Sequence, residues 1–200
     1  GVDKGGGRIQ GIMIGGAVME TNNYLPVPIA LATKIMDYYN SYIRTIGTEI
    51  LKPDAKCQVT IKYVNDVPDS IKKIVISANH SDIDDEIVRR TIISEVLNPA
   101  IKEFIENDID DTFVGFKKES FQVLINPTGR FVKGGPAADT GVTGRKIICD
   151  TYGGYFRHGG GAFSGKDASK VDRTAAYKDR YIAKNLVASE LPKKCEIQLS

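Results

Sequence analysis

The 200-residue sequence has little sulfur and little imidazole: three cysteines and two histidines. Cys57, Cys149 and Cys195 lie far apart, form no CxxC pair and sit in strand-like runs. They read as small apolar side chains of a reducing, cytoplasmic protein rather than as disulfide partners or zinc ligands. His80 and His158 are too few to make a metal site by themselves; His80 closes the apolar run Ile74–Asn79 and reads as structural, whereas His158 stands beside a run of glycines and is a candidate for function. No apolar stretch approaches the length of a membrane span and no secretory leader is visible, so no membrane association is expected. Positive charge is not concentrated either. The net charge is +2 and no run of Lys or Arg exceeds two residues, which removes the usual electrostatic basis for a nucleic-acid partner. The chain opens on Gly1 and closes at Ser200 beside the alternating stretch Cys195–Leu199, as expected of a portion of a longer polypeptide.

What is present is a globular composition. With 42% hydrophobic and 26% charged residues, 200 residues support one or two domains with their own cores. Residues 4–16 read as Gly-rich and irregular. From Pro26 to about Ile46, the residues Ile29, Ala32, Ile35, Met36, Tyr39 and Ile43 recur at spacings of three and four, which predicts a helix with one apolar stripe and leaves Lys34 on an exposed face. Pro26 and Pro28 suit its first turn and Gly47 its end. Lys52-Pro53-Asp54 reads as a turn, and Cys57–Val64 alternates as a strand with Val59, Ile61 and Tyr63 on one face. Asn65-Asp66 and Pro68-Asp69 break it, and Lys72–Ala78 is the returning strand of a hairpin. Ser81 or Asp82 caps a helix from Ile83 to about Ile105 with Ile87, Ile92, Val96, Ala100 and Phe104 inward. The acidic run Asn107–Asp111 is a solvated loop, and Phe121–Ile125 is a further strand. Sheet pairs separated by amphipathic helices give an α+β fold class.

Residues 129–165 then hold 11 of the 20 glycines, with only Lys146–Asp150 strand-like among them. So long a loop-rich stretch in a compact domain is functional or disordered, and Phe131, Tyr152, Tyr155, Phe156 and Phe163 argue against disorder. A helix follows from about Asp167 to Ala188, with Val171, Ala175, Ile182, Ala183 and Leu186 as its apolar face, and a last strand starts near Lys194.

The most informative segment is Gly159-Gly160-Gly161-Ala162-Phe163-Ser164-Gly165-Lys166-Asp167, followed by Lys170 and Asp172. Glycines let successive backbone N–H groups converge on an anion. The helix that follows adds unpaired N–H groups and a partial positive charge. Lys166 and Lys170 are four residues apart, which on a first helical turn puts them on one face. That arrangement describes a polyphosphate site, with Asp172 as a hard oxygen ligand suited to Mg²⁺; a purely structural turn is the alternative. The spacing is not that of a P-loop, because Asp167 stands where the Mg²⁺-binding hydroxyl belongs. Arg145 and Lys146, flanked by Asp139 and Asp150, and the cluster Asp54-Ala55-Lys56 each read alone as surface charge pairs. Arg130-Phe131 offers an aromatic face for a base, or an ordinary core Phe after a Thr-Gly turn.

Taken together these blocks resemble the S-adenosylmethionine synthase (methionine adenosyltransferase) family. The resemblance rests on Gly159–Asp167, on Asp150-Thr151-Tyr152-Gly153-Gly154, and on Asn126–Val132 followed by Gly134-Gly135-Pro136. It also rests on Gly141–Ile148, Lys170-Val171-Asp172-Arg173 and Pro53-Asp54-Ala55-Lys56, so that it runs in order through nearly the whole chain. It implies repeated sheet-plus-helix domains with an interleaved chain, incomplete here: 1–20 and 175–200 as parts of the C-terminal-type domain, 21–134 as a complete α+β domain, and 135–174 as part of the central domain carrying the glycine-rich phosphate loop. It implies that methionine sulfur attacks C5′ of ATP and that the leaving tripolyphosphate is then cut to pyrophosphate and phosphate. Such a polyanion leaves readily only where cations are already in place. By resemblance Lys56, Arg145, Lys146, Lys166 and Lys170 hold phosphates and Asp172 binds Mg²⁺. Arg130 and Phe131 hold the adenine side with Phe131 stacking, Asp54 and Asp139 orient ribose or methionine groups beside Ala55, and Ala162 offers backbone to the nucleotide. K⁺ is implied as a second cation. Self-association into a dimer or tetramer with active sites at the interface is implied as well.

The family's His-Pro-Asp-Lys motif, its second Mg²⁺ aspartate and the end of its third domain are absent from these 200 residues, so the isolated chain is expected to be inactive. The family's G-A-G-D-Q-G loop corresponds to Gly6–Gly11, where Ile9 replaces the aspartate expected to meet methionine, or where the loop is shortened. A non-catalytic relative that binds nucleotide or a partner synthase subunit is the second reading, and an RNA-binding module is the third.

Overall fold

A computed structural model describes residues 11–109 and 120–200. The expectations for Ile9 and for the end of the acidic run at 110–111 lie outside the described residues. The element order is β1 (Met13–Val18), α1 (Val27–Thr45), β2 (Leu51–Val64), β3 (Val67–His80), α2 (Asp85–Thr91), α3 (Asn98–Glu103), β4 (Gln122–Ile125), α4 (Val171–Ala188) and β5 (Lys194–Leu199). The class is α+β, and the chain packs as two compact units: Gly1–Pro26 with Gly141–Ser200, and Val27–Thr140.

In the unit Val27–Thr140, β2 and β3 form an antiparallel hairpin and β4 joins β3 in parallel. The hairpin turn is Asn65-Asp66, with φ of 51° and 61°. Positive φ at both positions matches the twist of the flanking strands, and Asn and Asp tolerate it best after glycine. Both strands outrun the sequence expectation. Lys52-Pro53-Asp54, expected as a turn, lies inside β2 where the register shifts between Leu51 and Ala55; Pro68, expected to break the pair, is the second residue of β3 beside another shift. Ladder irregularities are where a residue without an N–H fits. The expected alternation holds, with Val59, Ile61 and Tyr63 half-buried between exposed Gln58, Thr60 and Lys62.

Helix α1 buries Val27, Leu31, Ile35, Tyr39 and Tyr42. Only Ile35 and Tyr39 of the expected stripe are among them, because apolar side chains cover so much of this helix that the packing partner chooses the face. Ile29, Ala32, Met36 and Ile43 are half-buried. The Tyr39 hydroxyl donates to the Lys52 carbonyl at 2.6 Å, and burial pushes this phenol well above its usual range. Lys34 is not free on an open face: it pairs with Glu103 at 2.9 Å and Asp108 at 2.8 Å.

From Asp85 to Asp108 the chain is one helical run in which α2 and α3 alternate with the π-helical segments Ile92–Leu97 and Phe104–Asp108. Val88, Ile92, Val96, Ala100 and Phe104 are buried at a strict spacing of four. An α-helix turns every 3.6 residues, so a repeat of four would wind away from the core; the wider i→i+5 turns absorb the surplus. Val88 replaces the expected Ile87, which is exposed. The cap is Asp84, accepting from the Glu86 N–H at 2.8 Å, rather than Ser81 or Asp82.

In the other unit, β1 pairs antiparallel with β5, Met13 opposite Leu199. Met13–Gly16, expected to be irregular, is strand and buried throughout. Gly15 and Gly16 fall on opposite faces of it. A Cβ on Gly15 would sit 2.0 Å from the Arg180 backbone nitrogen of α4, and one on Gly16 2.4 Å from the Phe156 ring. The strand is therefore covered closely on both sides, with Ala17 against Ala183 and Val187 and Val18 against Tyr152 and Phe156. The Gly16 N–H donates to the Tyr152 hydroxyl at 2.9 Å, and the Arg180 guanidinium donates to the Gly16, Asn23 and Tyr24 carbonyls.

This close approach selects the buried face of α4, which is Ala176, Asp179, Ala183 and Val187; of the expected face only Ala183 is fully buried, and Val171 is exposed. The helix starts at Val171 rather than Asp167, because Asp167 accepts from the Ser169 N–H and hydroxyl and holds 167–169 in a turn. Lys146–Asp150, expected as a strand, is turned, with the Asp150 N–H on the Lys146 carbonyl. Cys149 on that turn is exposed; Cys57 and Cys195 are half-buried, and burial pushes the Cys57 thiol up to about 12. Residues 141–174 pack in the same unit as 175–200, and Tyr152 and Phe156 of that stretch lie against Val18 of β1. No described helix is long and apolar enough to cross a membrane.

Candidate functional site

The residues expected to act on a nucleotide fall into both units, and each group is described by itself. In the unit holding α4, the glycine-rich segment runs past the side of β1. A Cβ on Gly159 would lie 1.5 Å from the Ile12 carbonyl oxygen, and one on Gly161 2.7 Å from the Asp172 carboxylate. Glycine at these positions lets backbone close over the start of α4.

Asp172, in the first turn of α4, receives the Lys166 ammonium at 2.7 Å; both side chains are partly accessible. Lys170 is the N-cap residue, and its ammonium reaches the Ser169 hydroxyl at 3.3 Å. Lys166 and Lys170 thus do not share a helical face, since only the second touches the helix; they flank its N-terminus from a turn. Asp167 is held below the usual carboxylate range by the hydrogen bonds from the Ser169 hydroxyl and N–H. Ala162 lies against the Gly144 turn, where a Cβ would come within 2.9 Å of its own. Arg145 and Lys146, the next residues of that turn, are exposed beside the glycine-rich segment.

Sequence reasoning passed over Arg173. Its guanidinium donates to the Lys166 carbonyl at 2.6 Å and lies 5.5 Å from the Tyr177 ring centre. A cation in the first turn of a helix opposes the macrodipole, and that misfit was its available signal. His158 accepts from the Gly160 N–H at 2.7 Å and stacks on Phe163 with centroids 5.9 Å apart, so it braces the glycine turn.

In the unit Val27–Thr140, Asp54 accepts from the Gly135 N–H at 2.7 Å, which ties β2 to a short 3₁₀ turn, Gly135–Ala137. Asp139 ends that turn, its N–H on the Gly135 carbonyl, with an exposed side chain. Ala55 is half-buried and Lys56 exposed on β2. Arg130 turns toward the start of α2, pairing with Asp82 at 2.9 Å and Asp85 at 3.0 Å and donating to the Ile83 carbonyl. Phe131 is half-buried, and its backbone is gripped by the end of β3: its N–H donates to His80 Nε2 at 3.0 Å, and its carbonyl accepts from the Asn79 amide at 2.6 Å and the His80 N–H at 3.0 Å. His80 is structural, as expected, and the residue it supports is one of the candidates.

The fold and these clusters define an α+β protein with a cation-flanked glycine turn at a helix N-terminus. The sequence matches the profile of the S-adenosylmethionine synthetase central domain over residues 4–131 and that of the S-adenosylmethionine synthetase C-terminal domain over residues 133–200. It is 48% identical to an S-adenosylmethionine synthase of Fusobacterium nucleatum subsp. nucleatum over 202 aligned positions, covering 100% of this chain and 50% of that protein. It is 48% identical to one of Lacticaseibacillus casei, covering 100% of this chain and 48% of the relative, and 50% identical to one of Streptococcus uberis, covering 96% and 46%. The chain belongs to the S-adenosylmethionine synthetase family. It spans about half the length of the curated relatives it matches.

Proposed function

We propose that this chain forms the nucleotide- and polyphosphate-handling part of a methionine adenosyltransferase, with ATP and methionine as substrates. The observation that supports this reading most is the Lys166–Asp172 pair at 2.7 Å, at the mouth of a glycine turn and at the N-terminus of α4. In the reaction, methionine sulfur gives an electron pair to C5′, and the C5′–O bond breaks with its pair going to the tripolyphosphate. Water then divides that product into pyrophosphate and phosphate. Lys166 and Lys170 hold phosphate oxygens from the two sides of the helix start, and Arg145 and Lys146 extend the cationic wall from the Gly144 turn. Lys56, exposed on β2, holds phosphate as well; Asp54 and Asp139 serve the ribose or methionine side, and Phe131 stacks on adenine. Arg130, tied to Asp82 and Asp85, reaches the nucleotide only by exchanging those carboxylates for it.

Asp172 fits a Mg²⁺ ion as a single carboxylate, because Mg²⁺ keeps most of its shell as water and phosphate oxygen. Among the described residues no cluster of three or more acidic, His or Cys side chains offers a full cage. Bound there, Mg²⁺ would neutralise phosphate charge as the tripolyphosphate departs. Lys166 holds the carboxylate in place until a phosphate competes for its ammonium. K⁺, assembly into a dimer or tetramer and a cytoplasmic location belong to the same reading.

Affinity for inorganic tripolyphosphate measured by calorimetric titration tests it. Lys166→Ala should weaken binding by roughly one to two decades, the worth of a charge-assisted contact, while Lys34→Ala, whose ammonium is held by Glu103 and Asp108, should not change it. Equal affinities for the two variants would refute the phosphate role.

A further inference from the structure

We propose that His80 is a positioning residue for the adenine end of the nucleotide site, acting through the Phe131 backbone; the inference rests on the reading of Phe131 as the stacking residue. Phe131 follows a loop, Asn126 to Arg130, that leaves β4 and has no ladder partner of its own. The end of β3 supplies one instead. The Asn126 N–H donates to the Ile76 carbonyl at 2.9 Å, and the Asn126 side chain accepts from the Ala78 N–H at 2.8 Å and donates to the Ala78 carbonyl at 3.1 Å. Five residues later the grip repeats. Asn79 and His80 hold the Phe131 carbonyl, and the His80 imidazole takes the Phe131 N–H.

The backbone N–H of Phe131 can only donate, so His80 Nε2 must accept and the ring proton resides on Nδ1, which donates to the Ser81 carbonyl at 2.8 Å. The tautomer is thereby fixed by partners on both sides. Asn79 and His80 are 5% and 1% exposed, so water cannot replace the lost contacts cheaply. A Cβ on Gly134 would lie 2.7 Å from the Asn79 side chain, so the stretch after Phe131 is also pressed onto the clamp. With N–H and carbonyl both fixed, the peptide planes flanking Phe131 cannot rotate, and its ring swings only about its own side-chain torsions. Removing the acceptor at Nε2 frees one of those planes and lets the stacking face leave its position, while the phosphate-binding lysines are untouched.

The experiment compares ATP and inorganic tripolyphosphate binding to the 200-residue protein by titration calorimetry. Base–aromatic stacking losses imply about a tenfold weakening of ATP for His80→Leu, with tripolyphosphate affinity unchanged. His80→Gln, which returns an acceptor near the Nε2 position, should restore ATP affinity to within about threefold of the parent protein. If His80→Leu loses the parent's circular-dichroism spectrum, His80→Asn replaces it, since Asn keeps a polar atom near Nδ1 and withdraws only the acceptor for Phe131. Phe131→Ala separates the two ideas. If it weakens ATP and the His80 variants do not, the positioning role is overturned and the stacking role stands. If Phe131→Ala leaves ATP affinity intact, or the parent binds no ATP, both are overturned. Equal losses for ATP and tripolyphosphate in His80→Leu would mean general destabilisation and also overturn the proposal.

Discussion

The unit Val27–Thr140 and the unit built from 1–26 and 141–200 solve packing in opposite ways. The first fills the space between sheet and helices with large side chains, among them Leu31, Ile35, Tyr39, Ile74, Ile92 and Phe104. The second brings backbone against backbone and ring, using Gly15, Gly16 and Ala17 in β1 and alanines in α4. Four of the five candidate phosphate residues, Arg145, Lys146, Lys166 and Lys170, belong to the second. Loops that close over a helix N-terminus need backbone close to ligand, and side-chain-free positions supply that closeness. The difference teaches where each unit is vulnerable: one to losing atoms, the other to gaining them.

The largest effects should therefore come from opposite changes. Gly15→Ala should cost about 3 kcal/mol or more, at the top of the range for overpacking, because the atom it meets is helix backbone that cannot rotate away. Leu31→Ala, at a fully buried site, should cost about 2–5 kcal/mol through lost burial and a cavity. Chemical denaturation of both variants would break the comparison if Gly15→Ala proved neutral.

A middle-sized effect should come from Asp179. Its carboxylate is fully buried and its oxygens make no well-formed hydrogen bond among the described residues; burial raises its ionisation above the ordinary Asp value, and the Leu199 N–H is placed to oppose that only weakly. The folded state thus favours the protonated form. Below the ordinary Asp range both states hold the proton and the cost vanishes. As pH rises through that range the unfolded chain releases its proton first, so stability falls until the folded carboxyl also ionises. Asp179→Ala should gain roughly 1–3 kcal/mol at neutral pH, the penalty of an unsatisfied buried group, and less in acid, where the ionisation-linked part is gone. A gain that is the same at both pH values would contradict this account.

The smallest effect sharpens the comparison from the other unit. Lys34→Ala removes an ion cluster in which the Asp108 and Glu103 hydrogen bonds push the ammonium's ionisation well above its usual range. The cluster is partly exposed, so melting in low salt should show a loss of at most about 1 kcal/mol, shrinking as salt is added. A loss that is insensitive to salt would mean that Lys34 acts through its packed stem.

Much of the hairpin-and-helix unit was legible because period carries it: the alternation of β2, the existence of the hairpin and the stripe ending in Phe104 all follow from spacing, whereas the tightness of the Asn65-Asp66 turn did not, because Pro68 read as a breaker. The faces of α1 and α4 were not, since a helix with apolar residues on most sides takes its orientation from its partner. In α4 that partner was a strand whose glycines the sequence presented only as irregular. Within the candidate site, the glycine turn and Asp172 could be read from residue types. The capping turn that moved the helix start to Val171 depends on a local side-chain bond of Asp167, and the grip of His80 on Phe131 joins positions 51 residues apart that no spacing rule connects.

The fourfold repeat of the run Asp85–Asp108 carries a hazard. When core contacts recur at one constant interval, sliding the helix by that interval puts apolar residues back into apolar places, so the pattern alone does not say which turn belongs where. Val88, Ile92 and Val96 are nearly interchangeable under such a slip. Ala100 and Phe104 are not: one turn is the smallest of the series and the next the largest, both fully enclosed. A slip would drive the phenyl ring into the space shaped for a methyl group and leave a void behind it. The small–large pair therefore acts as a key in a lock with repeated wards, and exchanging the two sizes would favour a displaced helix while leaving the hydrophobic composition of the protein unaltered.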